Sequence, residues 1–282
     1  MKSILKKAFN CIGLDIVKDN RSFYKAEITD LDSPDEAVYS RKYIVFEIPV
    51  QKCVYPCFLS YDPAGWHHFT KTLEEYAGKE SIHYNKSILK NYYERFQATT
   101  QYDLYFDFSI SKLEMLCPRL LEYPLNIYKF LQPWDLTQIK LAGEKSLSHS
   151  HGNQAFGPVS PRKLELEYNR LVKAFHSIRK NGYGPHNGDD GEITGYFLKD
   201  SEDYRFMIRS GYHRTAVLSV LGYKKIRATF SKYCNRKISI KDIHNWPQVK
   251  NGLFDKKIAE MIFMRYFLEN GRERARNLGL IR

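Results

Sequence analysis

The chain has 282 residues, of which 43% are hydrophobic and 15% aromatic, and this composition excludes a wholly disordered protein. No apolar run reaches the roughly 18 to 20 residues that a membrane-spanning helix needs, and the basic N-terminus breaks its apolar stretch too early for a secretory signal. The five cysteines are odd in number and scattered, which favours a reducing compartment. We therefore expect a cytoplasmic protein.

The charge is distributed unevenly along the chain. Residues 1–150 hold 19 Lys and Arg against 19 Asp and Glu, so the whole net charge of +12 lies in residues 151–282. A basic half of this kind predicts an anionic partner, such as a nucleotide or a phosphorylated metabolite, or else a solvated basic surface without one. Nucleic acid is the less favoured partner, because the cations of the C-terminal tail (Arg272, Arg274 and Arg276) also suit a helix end.

Residues 1–145 are expected to form an aromatic-rich α/β region that covers the second half and shapes a substrate pocket. Residues 43–50 are β-rich and predict a strand. Residues 70–76 and 87–97 predict short helices, because apolar side chains recur near helical spacing in the second of them. Residues 102–110 are interpreted as a further strand.

Residues 146–282 are expected to form a second domain, which begins in a polar Gly-, Ser- and His-bearing run at residues 144–153. Ser160 and Pro161 predict the N-cap and first position of a helix that continues to about Lys180. Asn181 and Gly182 end it. Short strands and a helical tail then follow, at residues 193–198, 204–208, 226–230 and 254–282. The elements together predict an α+β protein.

The most informative segment is a predicted strand that turns sharply at Ser210 and Gly211 and continues directly into a helix. His213 and Arg214 fall in the first turn of that helix. Free backbone N–H groups, the positive end of the helix dipole, an imidazole and a guanidinium then face the same way. This combination suits a phosphate or another small anion.

The order of elements around this turn resembles the ParB/sulfiredoxin superfamily. A helix that ends in Asn181-Gly182 leads to a strand, and a second strand leads to Gly211-Tyr212-His213-Arg214, an Ala-containing helix, Leu221-Gly222 and a final strand. The resemblance covers about residues 160–232 and implies a ParB/sulfiredoxin-like mixed α/β domain in the second half. In this superfamily the Gly-x-His-Arg turn holds nucleotide phosphates.

The resemblance implies a nucleotide site and a phosphotransferase that acts on a small hydroxylated metabolite. ATP, ADP or another nucleotide, with magnesium, would be held by the turn residues Ser210, Gly211, Tyr212, His213, Arg214 and Thr215. The free-serine kinase branch has the same turn and uses a carboxylate as general base. Glu192 and Asp190 are the first candidates for that carboxylate, and they lie in an acidic loop that is otherwise interpreted as a hydrophilic turn. His151 is a rival base with a suitable pKa range.

The segment before the first helix of the resemblance, residues 149–160, occupies the place of a second active-site strip in superfamily members. Its polar side chains predict substrate contacts from His149 and Gln154, with His151 beside them. A plain surface connector is the alternative.

The chain departs from two branches of the superfamily. Tyr212 stands where sulfiredoxins have their nucleophilic Cys, which argues against sulfinic-acid reduction, and no helix-turn-helix pattern follows Phe230. The second candidate function is nevertheless a non-enzymatic, ParB-like protein that binds nucleic acid or a partner under nucleotide control. Cys53, Cys57, His67 and His68 lack a second close ligand pair, so we expect buried thiols rather than a metal site. The oligomeric state stays open.

Overall fold

The fold is a mixed α/β arrangement of the α+β class, built on one sheet. The computed structural model describes residues 27–30, 34–40, 44–79, 82–106, 131–136, 147–184, 191–232 and 234–282. Within these residues the sheet has eight strands: β1 Glu27–Asp30, β2 Ile44–Pro49, β3 Cys53–Tyr55, β4 Leu59–Ser60, β5 Ile193–Lys199, β6 Tyr204–Ser210, β7 Lys225–Phe230 and β8 Lys237–Ser239.

The sheet interleaves strands from both sides of residue 145. Its order is β1-β2-β7-β5-β6-β3-β4, and β8 pairs with β5 beyond the end of β7. The pairing of β2 with β7 is antiparallel, and the pairing of β3 with β6 is parallel. The N-terminal strands therefore extend the sheet that β5, β6 and β7 form instead of building a separate one.

The helices flank this sheet and include one that is much longer than the others. Their bounds are α1 Pro34–Tyr39, α2 His68–Lys79, α3 Ile88–Arg95, α4 Gln101–Tyr105, α5 Pro161–Asn181, α6 Tyr212–Val220, α7 Pro247–Lys250, α8 Lys256–Leu268 and α9 Arg272–Asn277. Among the described residues, every helix is too short or too polar to cross a membrane.

The long helix α5 begins and ends as its sequence predicts. The Ser160 hydroxyl accepts a hydrogen bond from the Lys163 N–H, and Pro161 occupies the first helical position. Gly182, with φ of +73°, ends the helix and donates its N–H to the Ile178 carbonyl. The buried face of α5 lies against α6 and α2, and it includes Leu164, Glu167, Tyr168, Leu171, Phe175 and Ile178.

A cluster of four phenylalanine rings packs on the central strands. Phe197 on β5 lies 5.5 Å from Phe46, 5.1 Å from Phe206 and 5.8 Å from Phe230, measured between ring centroids. All four side chains are buried. The cluster joins β2, β7, β5 and β6, which are neighbours in the sheet, and it fixes the hairpin from which helix α6 begins.

Most of the elements predicted from the sequence are confirmed. The strand at 43–50 appears as Ile44–Pro49, and the two early helices appear as α2 and α3. The strand predicted at 102–110 is wrong over its described part, because Gln101–Tyr105 is helical. Thr100 and Asp103 form a reciprocal capping box that starts this helix. Residues 107–110 lie outside the described part of the chain.

Two arginines of the C-terminal tail are buried and contact residues of the core. Arg274 is 1% exposed, places its guanidinium carbon 4.5 Å from the centre of the Phe96 ring and donates to the Leu104 carbonyl at 3.0 Å. Arg265 is also buried, and its guanidinium lies over the Phe58 ring. These two cations therefore bind aromatic rings and carbonyl oxygens of the core.

We expect Phe197→Ala to lower the free energy of unfolding by about 3–5 kcal/mol, because it removes a buried ring from the centre of the four-ring cluster. Urea unfolding followed by circular dichroism measures the change. Leu268→Ala is the control: its side chain is 78% exposed, so the same measurement should change by less than about 0.5 kcal/mol. Equal losses in the two variants would contradict the prediction.

Candidate functional site

The turn between β6 and α6 requires glycine at its centre. Gly211 has φ of +91° and ψ of 24°, in the left-handed region that L side chains rarely adopt. A Cβ atom at this position would stand only 2.8 Å from Cγ1 of Ile193 on the neighbouring strand. Backbone conformation and the close approach of β5 therefore both exclude a larger residue here.

Helix α6 begins at this turn without a side-chain cap. Its first backbone hydrogen bond runs from the Thr215 N–H to the Gly211 carbonyl at 2.9 Å, and the Thr215 hydroxyl donates to the same oxygen at 3.0 Å. The amides of Tyr212, His213 and Arg214 precede that bond, so the helix itself offers them no acceptor. The positive end of the helix dipole lies at the same place. The N-terminus of a helix with these properties favours the binding of an anion.

A buried carboxylate on helix α5 meets the first turn of α6. The side chain of Glu167 is fully buried, and its Oε2 lies 2.8 Å from Nε2 of His213. Its Oε1 lies 2.7 Å from Nζ of Lys163, which is 6% exposed, and 3.8 Å from Nη1 of Arg170. A buried carboxylate needs cationic or hydrogen-bonding neighbours to stay ionised, and these three side chains surround it.

The contact with Glu167 positions the ring of His213. Nε2 of His213 lies 2.8 Å from Oε2 of Glu167, so the ring edge faces the carboxylate directly. This Nε2 atom is buried and makes no hydrogen bond of regular geometry within the described residues. The ring also packs 4.6 Å from Phe69, and the side chain is 18% exposed. The contacts with Glu167 and Phe69 together orient the imidazole at the start of α6.

Arg214 and Glu192 lie at the other side of the turn. The Arg214 guanidinium donates to the carbonyl of Gly191, the residue before Glu192. One oxygen of Glu192, Oε1, accepts a hydrogen bond from Arg227 at 3.1 Å. The other oxygen, Oε2, is buried and has no hydrogen-bond partner among the described residues. The two predicted site residues therefore approach one another through Gly191.

Two adjacent histidines form the middle of a column of stacked rings beside this site. His67 stacks on Tyr61 at 4.3 Å and on His68 at 4.6 Å, and His68 stacks on Tyr92 at 4.4 Å. The Nδ1 atom of His67 accepts the Phe69 N–H, so the ring proton is on Nε2, which has no partner among the described residues. Burial lowers the pKa of both histidines well below 6.5, and His213 lowers each further.

The polar strip at residues 149–160 packs against the start of α5 and against α3. Nδ1 of His151 lies 2.7 Å from the hydroxyl of Ser160. Ser160 is the N-cap residue of α5, three residues before Lys163. The Gln154 carbonyl accepts a hydrogen bond from the Tyr93 hydroxyl at 2.8 Å, and the backbone of Gln154 also faces His68. Among the described residues, neither His151 nor Gln154 forms a hydrogen bond or an ion pair with the turn.

The remaining predicted residues divide into described and undescribed ones. Ser210 is exposed at the end of β6, and the Tyr212 ring packs edge-on against Tyr55 at 4.8 Å. His149 begins a single 3₁₀ turn, His149–His151, but its side chain lies outside the described part. Asp190 also lies outside the described residues.

Sequence reasoning missed Glu167 and the stacked histidines. A signal for Glu167 was present, because it lies three residues after Leu164 and four before Leu171, on the apolar face of α5. A charged residue on such a face needs a buried partner. No comparable signal marks His67 and His68, whose burial depends on Tyr61 and Tyr92 from separate elements.

Comparisons of the chain with protein-family models, with curated proteins and with solved structures gave no significant match. Within the described ranges, no three His, Cys, Asp or Glu side chains are grouped to hold a metal ion. Cys53 and Cys57 are buried free thiols, as the β-rich context predicted. The site is therefore defined by its own geometry: a helix start, an oriented imidazole and two carboxylates.

We expect the free energy of unfolding to fall as the pH drops below 6.5. The unfolded chain then binds protons at His67 and His68, whereas the folded chain keeps both rings neutral because their pKa values are lowered. The slope is at most about 1.4 kcal/mol per pH unit for each histidine. Urea unfolding from pH 7.5 to 5 measures it.

Replacing both rings in the variant H67F/H68F should flatten this slope relative to the wild type. The exposed His83 supplies the control, since His83→Gln should keep the wild-type slope. Burial raises the pKa of Asp135 to about 6, which acts in the opposite sense, so the histidine contribution is read from the difference between chains. An unchanged slope in H67F/H68F would show that the histidines do not titrate as proposed.

Proposed function

We propose that the protein is a nucleotide-dependent phosphotransferase, a small-molecule kinase that acts on a hydroxylated metabolite. The observation that carries the proposal is the 2.8 Å contact between His213 and the buried Glu167, in the first turn of a helix that begins at a left-handed glycine. The contact supports the proposal because it orients an imidazole next to a helix start whose free amides suit an anion. Phosphoryl transfer needs both: charge stabilisation for the phosphates and a proton acceptor for the hydroxyl.

The turn supplies the phosphate site in this proposal. Backbone amides of Tyr212, His213 and Arg214 are the donors, and the guanidinium of Arg214 is the cation. Arg214 donates to a backbone carbonyl in the present structure and would exchange that acceptor for a phosphate oxygen. The Ser210 hydroxyl is exposed at the rim of the turn.

His213 is the proposed general base. In this proposal Nε2 of His213 carries the hydrogen that faces Glu167, 2.8 Å away, and the Nδ1 lone pair would accept the proton of the substrate hydroxyl. The hydroxyl oxygen then forms a bond to the terminal phosphorus, and the bond from phosphorus to the bridging oxygen breaks, which releases the shortened nucleotide. Glu167 stabilises the imidazolium that results. The ammonium group of Lys163, 2.7 Å from Oε1 of Glu167, offsets the charge of that carboxylate.

Glu192 is the alternative general base in this proposal, and it is also the residue that would bind magnesium. Its buried Oε2 atom has no hydrogen-bond partner among the described residues, and a single carboxylate with phosphate oxygens is a usual magnesium environment. A magnesium ion bound there would neutralise phosphate charge. The strip with His151 and Gln154 lies near His68 and is the proposed contact for the acceptor molecule.

We expect Arg214→Ala to weaken nucleotide binding by about 10- to 100-fold, because it removes a charge-assisted hydrogen-bond donor from the phosphate site. Calorimetric titration of ATP, ADP, CTP and GTP with magnesium measures the affinities. Arg276→Ala is the matched control, since Arg276 is exposed on helix α9. Binding that Arg214→Ala leaves unchanged would remove the turn as the phosphate site, and a preference for CTP would favour the ParB-like alternative.

We expect Glu167→Gln to lower kcat by about 10²- to 10⁴-fold while nucleotide affinity changes less than threefold, since the amide keeps the shape but loses the charge that orients His213. Steady-state assays with the acceptor found in a screen of hydroxylated metabolites measure kcat and KM. If Glu192→Gln abolishes turnover and Glu167→Gln does not, Glu192 is the base and the proposed role of His213 is wrong.

A further inference from the structure

A shallow cavity of about 200 Å³ lies on the solvent side of helix α5. It is lined by Leu147, Arg162, Glu165, Leu166 and Asn169. The four lining residues of α5 follow the spacing i, i+3, i+4 and i+7, so they lie on one face of the helix. Glu167 lies on the opposite, buried face. The helix itself therefore separates this cavity from the contact between Glu167 and His213.

One part of the cavity wall is apolar. Leu147, which lies just before the 3₁₀ turn His149–His151, is 8% exposed, and Leu166 on α5 is partly buried. Among the described residues, neither leucine belongs to the hydrophobic core cluster of the protein. They therefore form a small apolar surface of their own, from which an aliphatic group of a ligand would displace water.

The polar part of the wall carries one cation and one anion that do not pair with each other. Arg162 and Glu165 are both exposed and lie three residues apart on α5, a spacing at which opposite charges can meet. Within the described residues, neither side chain forms an ion pair or a hydrogen bond. Lys163 differs from them, since its ammonium group lies 2.7 Å from Glu167 on the buried face. The side-chain amide of Asn169 adds a donor and an acceptor to this wall.

These groups together match a small zwitterion. A guanidinium binds a carboxylate through two parallel N–H donors, and a carboxylate accepts hydrogen bonds from an ammonium group. In a free α-amino acid the carboxylate and the ammonium group are attached to the same carbon atom, and the side chain extends from that atom. The cavity has the volume of about seven water molecules, so it fits one molecule of this size.

We infer that this cavity binds a free α-amino acid with an aliphatic side chain. Arg162 binds its carboxylate, Glu165 binds its ammonium group, and Leu147 and Leu166 contact its side chain. Because both charged residues are exposed, their ion pairs with the ligand are weakened by water, and the expected dissociation constant is in the millimolar range. The site uses no residue of the proposed nucleotide site.

Titration of the full chain with L-leucine tests this site. The methyl groups of the chain's leucines are labelled with ¹³C, and the signals of Leu147 and Leu166 are assigned with Leu147→Val and Leu166→Val. Two probes lack one charge each: leucinamide has no carboxylate, and 4-methylpentanoate has no ammonium group. We expect a saturable shift of both signals with L-leucine and about tenfold weaker binding of each probe. Equal binding of the three compounds, or no saturable shift up to the solubility limit of leucine, would overturn the inference.

Charge-removing variants test which residue binds which group of the ligand. Arg162→Gln should weaken the binding of L-leucine about tenfold and leave that of leucinamide unchanged, since leucinamide offers the guanidinium no carboxylate. Glu165→Gln should weaken the binding of L-leucine and leave that of 4-methylpentanoate unchanged. Arg179→Gln is the matched control, because Arg179 is exposed in the last turn of the same helix. Equal losses in Arg162→Gln and Arg179→Gln would contradict the proposed contact.

Two further measurements separate this site from folding and from the proposed nucleotide site. Circular dichroism shows whether each variant is folded. Arg214→Ala should keep the response to L-leucine, because Arg214 lies on helix α6 and the cavity lies on the solvent side of α5. Loss of the response in folded Arg214→Ala would overturn the inference. Leucine binding by a wild-type chain that binds no nucleotide would support this site and contradict only the proposed function.

Discussion

The fully buried carboxylate of Glu167 is the constraint around which the site is built. Removing a carboxylate from water costs several kcal/mol, and this cost is offset only if cations or hydrogen-bonding groups approach it closely. Lys163 does so from the same helix, and His213 does so from helix α6. The contact therefore fixes the two helices relative to each other, and the ring of His213 relative to the start of α6.

The first two residues of helix α6 have neighbours with different chemistry. His213 lies against the Glu167 carboxylate, which the buried Lys163 also contacts. The Tyr212 ring packs edge-on against the buried Tyr55. Tyr212 and His213 are consecutive residues, yet they belong to different environments, because side chains one position apart on a helix point in different directions.

Local signals predicted much of the fold and part of the site. The serine and proline at the start of α5, the glycine of the turn and the alternation of β7 are properties of short segments, so the sequence displays them. The helix Gln101–Tyr105 begins at the capping box of Thr100 and Asp103. The aromatic residues of this segment favour a strand, so the sequence prediction missed the helix. Glu167, His67 and His68 acquire their roles from residues far along the chain. Their burial is a property of the assembled core, which periodicity indicates only for Glu167.

The interleaved sheet has a consequence for how the chain acquires its structure during synthesis. Strands β2 and β3 find their partners in β7 and β6, so more than half of the chain separates residues that must pair. Contacts of such long sequence separation form slowly, because a long loop has to close before they become favourable. The unpaired backbone edges of β2 and β3 thus stay uncovered until β6 and β7 have left the ribosome, and a chaperone that covers them would protect the nascent protein from aggregation.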